Sequence, residues 1–241
     1  MIAVWRREFK VFQREISRVV ASVVSPLMWL VLFGVGVGAS MNVGSYQSFI
    51  FPGIIMMSVL FSSMFYGVYI IWDRKIDVLK AVLIAPVSRF SIFLGKVLGG
   101  CTDTLMQATV LLVIGIFLVS YTPLGFLLAV VIIFITAVGF VALGLTIGSL
   151  FESFEGFQLI GTFINFPLFF LSGALFPLDR PGLPGWLLIA SRFNPLTYAV
   201  DGARYAMLGE SAFPIYVDFA AVGIFSFTML VLGSISFNRM K

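Results

Sequence analysis

Residues 104–151 read TLMQATVLLVIGIFLVSYTPLGFLLAVVIIFITAVGFVALGLTIGSLF, a stretch without a single Asp, Glu, Lys or Arg. One pass through the apolar interior of a bilayer takes about 20 residues. The stretch therefore predicts two membrane-spanning helices joined at Tyr121–Leu124, where Pro123 marks the turn. A soluble core helix has no use for so long a charge-free run.

The same pattern recurs on either side. No charge occurs in Val19–Trp72, Gly156–Leu178 or Phe219–Asn238. Across the 241 residues 60% are hydrophobic and 11% charged, against about 45–50% and about 25% in soluble domains. The expectation is an all-α membrane protein with six spans: TM1 at Val19–Ala39, TM2 at Phe49–Trp72, TM3 at Val97–Ser120, TM4 at Gly125–Leu150, TM5 at Phe157–Phe176 and TM6 at Phe219–Phe237. The chain is read as one transmembrane domain over 1–241, with TM1 to TM5 inside 19–176 and TM6 at 219–237.

Residues 1–17 have a different character. Ile2, Trp5, Phe9, Phe12 and Ile16 step by three and four, while Arg6, Arg7, Lys10, Gln13 and Arg14 fill the other side. This predicts a basic amphipathic helix lying along the membrane surface. No small-residue cleavage site follows, so TM1 is expected to start insertion itself. The segment Asp73–Lys96 is polar and interrupted by Pro86, and is read as the main loop on its side of the membrane. Basic residues favour the cytoplasmic side. With the N-terminus inside, twelve of the fifteen fall there, leaving Arg180, Arg192 and Arg204 outside. Both termini are accordingly expected in the cytoplasm.

Chemistry is mostly excluded. The chain has no His and one Cys, Cys101, so a Cys/His or Ser/His/Asp constellation cannot be built, and neither can the usual zinc sets. No catalytic, cofactor-binding or metal-binding residue is expected, and no nucleic-acid partner. The phosphate loop of ATP-binding proteins is also missing: Gly95-Lys96 is followed by Val97, with Phe90 where its first Gly belongs.

The candidate features are structural. Ile76, Leu79 and Leu83 share one helical face within 73–86, either to dock on a soluble partner or as part of an ordinary basic loop. Asp103 stands two turns into TM3 beside Thr102, Thr104 and Gln107, and is either a functional intramembrane acid or an ordinary helix-contact polar group. Gln158, Thr162 and Asn165 form a polar stripe on TM5 that either lines a path or joins helices. The pairs Gly95/Gly99 and Gly144/Gly148 permit close helix crossing. Within 177–208, Pro184–Phe193 reads as a short helix, and Asn194 caps a second that begins at Pro195.

Several elements recur in order: Phe170-Leu-Ser-Gly-Ala-Leu-Phe-Pro-Leu-Asp179, then Leu183-Pro-Gly-Trp186, then Asn194-Pro-Leu-Thr-Tyr198 with Asp201 and Arg204. This resembles the signature of ABC-2 type transporter permeases, closest to the drug and lipo-oligosaccharide exporter branch, and the layout covers nearly the whole chain. The resemblance implies a permease in which two copies, expected to be identical, pair in the inner (plasma) membrane. Each would rest on a cytoplasmic ATPase subunit that binds ATP and Mg. It implies a coupling helix at 73–86 with Asp73, Arg74, Lys75, Asp77, Lys80, Leu83 and Pro86, beside an interfacial helix with Trp5, Arg6, Phe9, Lys10 and Phe12. It implies an extracellular re-entrant hairpin at 177–208, gated by Ser172, Gly173, Phe176, Pro177, Pro184, Trp186, Asn194, Pro195, Tyr198, Asp201 and Arg204. Gln158, Thr162 and Asn165 would lie along the path. The implied cargo is amphipathic, lipid-linked or drug-like, or a polysaccharide or glycolipid. The competing reading is a secondary transporter or channel that uses Asp103 and an ion gradient.

Overall fold

The computed structural model describes residues 2, 4–7, 10, 16–36, 46–76, 88–178 and 182–239. Among these residues the fold is all-helical. Its longer helices are α1 (Ile16–Gly36), α2 (Tyr46–Phe65), α3 (Val68–Lys75), α4 (Arg89–Gly115), α5 (Pro123–Leu150), α6 (Phe154–Phe170), α7 (Gly185–Phe193), α8 (Pro195–Leu208) and α9 (Ile215–Arg239). Residues Val4–Arg7 are also helical.

Local chemistry sets the boundaries. Ser88, Thr122 and Ser153 each accept a hydrogen bond from the backbone N–H three residues on, at 3.3, 3.0 and 3.0 Å, and so cap α4, α5 and α6. Pro123 occupies the first turn of α5, where its missing N–H costs nothing. Gly173 and Gly209 adopt φ of 72° and 74°, in the region that suits glycine. The first lies in the turn beyond α6, and the second ends α8.

Helix α5 is the hub, packing against α9, α8, α2 and α4. Its approach to α2 and α3 depends on glycine. A Cβ added at Gly144 would meet the Met64 carbonyl oxygen at 2.5 Å, one at Gly148 would strike the Gly67 carbonyl, and one at Gly67 would strike the Gly144 carbonyl. Backbones that touch at this distance leave no room for side chains. At that crossing the α2–α3 helix breaks over Tyr66–Gly67, and Gly67 N–H reaches back only three residues, to Met64 O at 3.1 Å.

Among the described residues four helices are long and apolar enough to cross a membrane: Tyr46–Lys75, Arg89–Gly115, Pro123–Leu150 and Ile215–Asn238. The apolar stretch Val20–Gly34 within α1 is shorter, and α6 has 17 residues. Several expected boundaries move. The polar loop was expected to run to Lys96, yet α4 begins at Arg89 and takes Lys96 inside, where Asp73 neutralises it. TM5 was expected over Phe157–Phe176, whereas α6 begins at Phe154 under its Ser153 cap and ends at Phe170, before the Gly173 turn. TM6 was expected from Phe219, but α9 starts at Ile215 and carries Asp218 into a fully buried position.

Candidate functional site

At the end of the bundle where Arg7 and Asn238 lie, three segments converge on Asp73. Its carboxylate is buried on the last turns of α3. It accepts from Lys96 Nζ of α4 at 2.5 Å and from Arg7 NH2 of the N-terminal helix at 2.6 Å. The Lys96 side chain is 2% exposed and that of Arg7 37%. Lys96 is therefore held by the pair, while Arg7 keeps access to water. Beside them Arg74 donates to Ser149 O and Phe151 O at the end of α5, both at 3.2 Å. Trp5 Nε1 donates to Thr102 Oγ1 at 3.0 Å, and Arg89 donates to Asn238 O at 2.8 Å. Charge-assisted bonds of this kind fix orientation as well as supplying energy. The root of the 73–86 segment is thus bound to α4, α5 and the N-terminal helix together.

Of the residues expected in the 73–86 segment, Asp73 and Arg74 take part in this network and Lys75 is exposed. Asp77, Lys80, Leu83 and Pro86 lie outside the described residues, as do Phe9 and Phe12. Arg6 and Lys10 are exposed, whereas Trp5 is half-buried against α4.

The opposite end is built by the hairpin α7–α8. Asn194 joins the two helices and serves both sides: its Oδ1 accepts from Leu196 N at 3.0 Å as the α8 cap, and its Nδ2 donates to Leu168 O on α6 at 2.6 Å. Pro195 takes the first position of α8. Tyr198 OH donates to Arg192 O at 2.8 Å, which ties α8 to the last turn of α7. Asp201, buried, accepts from Ala212 N and Phe213 N at 2.8–3.0 Å and holds the loop before α9. Arg204 donates to Gly173 O at 3.1 Å, and its guanidinium lies 4.1 Å from the centre of the Phe49 ring on α2. Ser172 Oγ donates to Phe169 O and accepts from Ala174 N, bracing the turn whose glycine Arg204 contacts. Phe176 and Pro177 are half-buried, Pro184 precedes α7, and Trp186 is exposed.

Beside them lies a cavity of about 320 Å³, with Thr197, Asp201, Arg204, Glu210 and Phe213 in its wall. On the flank of the bundle Gln158, Thr162 and Asn165 share a second cavity of about 240 Å³ with Phe61, Met64 and Phe65. Gln158 and Thr162 are exposed, and Asn165 is buried. A third cavity of about 220 Å³ lies between α1, α2 and α6, walled by Trp29, Phe61, Phe166 and Phe169 and edged by Ser22, Ser25, Ser58 and Ser62.

Sequence reasoning assigned Lys96 to a loop and did not pair it with Asp73. The signal was there, since an acid and a base flank the same membrane boundary on consecutive helices. It also placed Asp218 outside TM6, where helical phase alone could not bury it. Asp103, expected inside the membrane, is buried on α4 next to Thr104, which faces Ser63 Oγ of α2 at 3.3 Å.

Residues 1–208 match the family described as ABC-2 type transporter. The chain is 30% identical over 233 residues to the inner membrane transport permease YadH of Escherichia coli K12, covering 92% of this chain and 88% of that one. It is 31% identical over 218 residues to nodulation protein J of Rhizobium meliloti, covering 87% and 81%. It is 28% identical over 208 residues to the putative transport permease ycf38 of Cyanophora paradoxa, covering 83% and 71%. The hairpin with Asn194, Asp201 and Arg204 lies within the matched region, and the resemblance first read from those residues holds: the chain belongs to the ABC-2 type transporter family.

Proposed function

We propose that this chain is the membrane-spanning subunit of an ATP-driven exporter in the inner membrane, with no catalytic residues of its own. Two copies pair, and each rests on a cytoplasmic ATPase subunit that binds ATP and Mg. Family membership supports the permease role, and the Asp73 anchor is the observation that carries the coupling. A segment rooted at a buried carboxylate that is clamped by cations from two other helices passes its motion on to them. The 73–86 segment then transmits ATPase closure into α4 and the N-terminal helix. ATP can drive this shift only as far as the closed ATPase pair prefers the outward-open bundle.

In this reading the bundle has six spans, α1 and α6 completing the four longer ones. Both termini are cytoplasmic, and α7–α8 is a re-entrant hairpin on the outer side. The exposed apolar faces of α1 (Val24, Met28, Leu32) and α6 (Leu159, Phe163, Phe166) support a second copy packing there, with lipid around the rest. The cavities beside Trp29 and Asn165 open along the same flank, which suits an amphipathic, lipid-linked or drug-like cargo or a glycolipid.

The test is ATP hydrolysis by the candidate ATPase in liposomes with and without this protein, adding lipid-linked glycans and amphipathic drugs in turn. Association with cargo-stimulated hydrolysis is expected. If no ATPase associates, and transport follows an imposed proton gradient and is lost in Asp103→Asn, the gradient-driven reading replaces this one.

A further inference from the structure

We propose that the cavity at the hairpin end binds a neutral polyhydroxylated group, a sugar ring being the common example. This deepens the exporter reading by naming the chemical class held beside the hairpin. It rests on that reading only for the direction in which the cavity faces.

Size is the first constraint. At about 320 Å³ the cavity stands at the lower end of the roughly 300–1,000 Å³ of small-molecule sites. With a water molecule occupying about 30 Å³, it has room for a compact ring and its substituents and none for a long acyl chain.

Charge is the second. Among the described residues the wall contributes two carboxylates, Asp201 and Glu210, against one guanidinium, Arg204. This excess of negative charge opposes a phosphate or carboxylate ligand. Nor are the carboxylates arranged as a cation cage, since Asp201 already accepts from two backbone N–H groups.

The pattern of donors and acceptors is the third. A hydroxyl both donates and accepts, so a polyol is matched by a wall that alternates the two functions. Here Glu210 accepts, Arg204 donates, and Thr197 and Ser211 can do either. Thr197 is 1% exposed, and its Oγ1 has no hydrogen-bond partner. A buried hydroxyl left unpaired carries a free-energy cost that a ligand can relieve. The Phe213 ring supplies an apolar surface for the carbon face of a ring and is itself placed by stacking against Tyr198, with centroids 5.3 Å apart. Asp201 acts as a positioning residue. By holding Ala212 and Phe213 it sets the loop that carries Glu210.

The experiment uses the full chain in nanodiscs free of glycosidic detergent, without ATPase or ATP. Saturation-transfer NMR is recorded with maltose, glycerol 3-phosphate and tetramethylammonium at about 50 mM, well past a millimolar Kd. Maltose is expected to show transfer and the two ions not. Thr197→Val, which keeps the shape, and Glu210→Gln, on the exposed loop, are each expected to weaken maltose binding about tenfold, the equivalent of one charge-assisted or buried hydrogen bond. If Thr197→Val fails to fold, Glu210→Gln carries the test. Absence of transfer from maltose, equal binding by both variants, or preferential binding of either ion would overturn the assignment. Because no hydrolysis or transport is measured, the site can fail while the exporter reading stands, and the exporter reading can fail while sugar binding stands.

Discussion

Replacing Asp73 by Ala is the sharpest test of the ion-pair anchor, because the consequence differs for each of its two partners. Lys96 is 2% exposed and has Asp73 at 2.5 Å, so the substitution takes a carboxylate away from a buried ammonium. Breaking a buried pair from one side costs about 3–5 kcal/mol. Lys96→Met should be milder, since Asp73 keeps Arg7 at 2.6 Å. The loss is then one charge-assisted hydrogen bond, about 1.5–3 kcal/mol. Arg7→Ala should cost under about 1 kcal/mol, as its side chain is 37% exposed and can be replaced by water. The double substitution Asp73→Leu/Lys96→Met removes both buried charges and is expected to be less destabilising than Asp73→Ala alone. Unfolding titrations in mixed micelles on these variants, with the single Asp73→Leu added to close the double-mutant cycle, give these free energies. Equal costs for Asp73→Ala and Arg7→Ala, or a double variant as costly as the sum of its singles, would refute the argument that burial makes this carboxylate indispensable.

Gly148→Ala places a Cβ against the Gly67 carbonyl at the α3–α5 crossing; overpacking of this kind costs about 1–3 kcal/mol, which the same titrations should register, whereas Gly223→Ala on α9, where a Cβ meets nothing within 4 Å, should not destabilise. Asn194→Ala removes the α8 cap and the bond to Leu168 O, so about 0.5–2 kcal/mol is lost and faster amide exchange is expected across Gly185–Leu208, with α5 unchanged. Charge reversal at Asp77 or Lys80 is expected to abolish capture of the partner ATPase in a pull-down while leaving the thermal unfolding of the membrane domain as in the parent; normal capture by both variants would count against a docking role for 73–86.

Much of this architecture was legible in one dimension, because a bilayer imposes a length and an apolarity that sequence displays directly. The charge-free stretch 104–151 resolves into α4 and α5, although the connection lies at 116–122 and Pro123 and Leu124, expected in the turn, begin α5 under the Thr122 cap. The hairpin break at Asn194-Pro195 was likewise readable, since capping is a local interaction between neighbours in the chain. The order of elements from Phe170 to Arg204 was enough to suggest the family to which the chain belongs.

What composition and periodicity could not supply is pairing between distant residues. Lys96 looked like a loop residue because charge is expensive in a membrane, and only the approach of α4 to α3 places Asp73 where it offsets that expense. Arg204 and Asp201 were recognisable as signature residues. That one of them ties α8 to the Gly173 turn while the other holds the loop at Ala212 and Phe213 depends on three segments folding together. The glycines at 144 and 148 announced a close crossing without naming the partner, which the fold identifies as the backbone around Met64 and Gly67. By itself the sequence determined that the chain is helical and apolar enough to enter a membrane, since those properties are local. Tertiary structure decided which charges are neutralised, which backbones touch and where cavities remain, since each depends on distances between segments that sequence order does not contain.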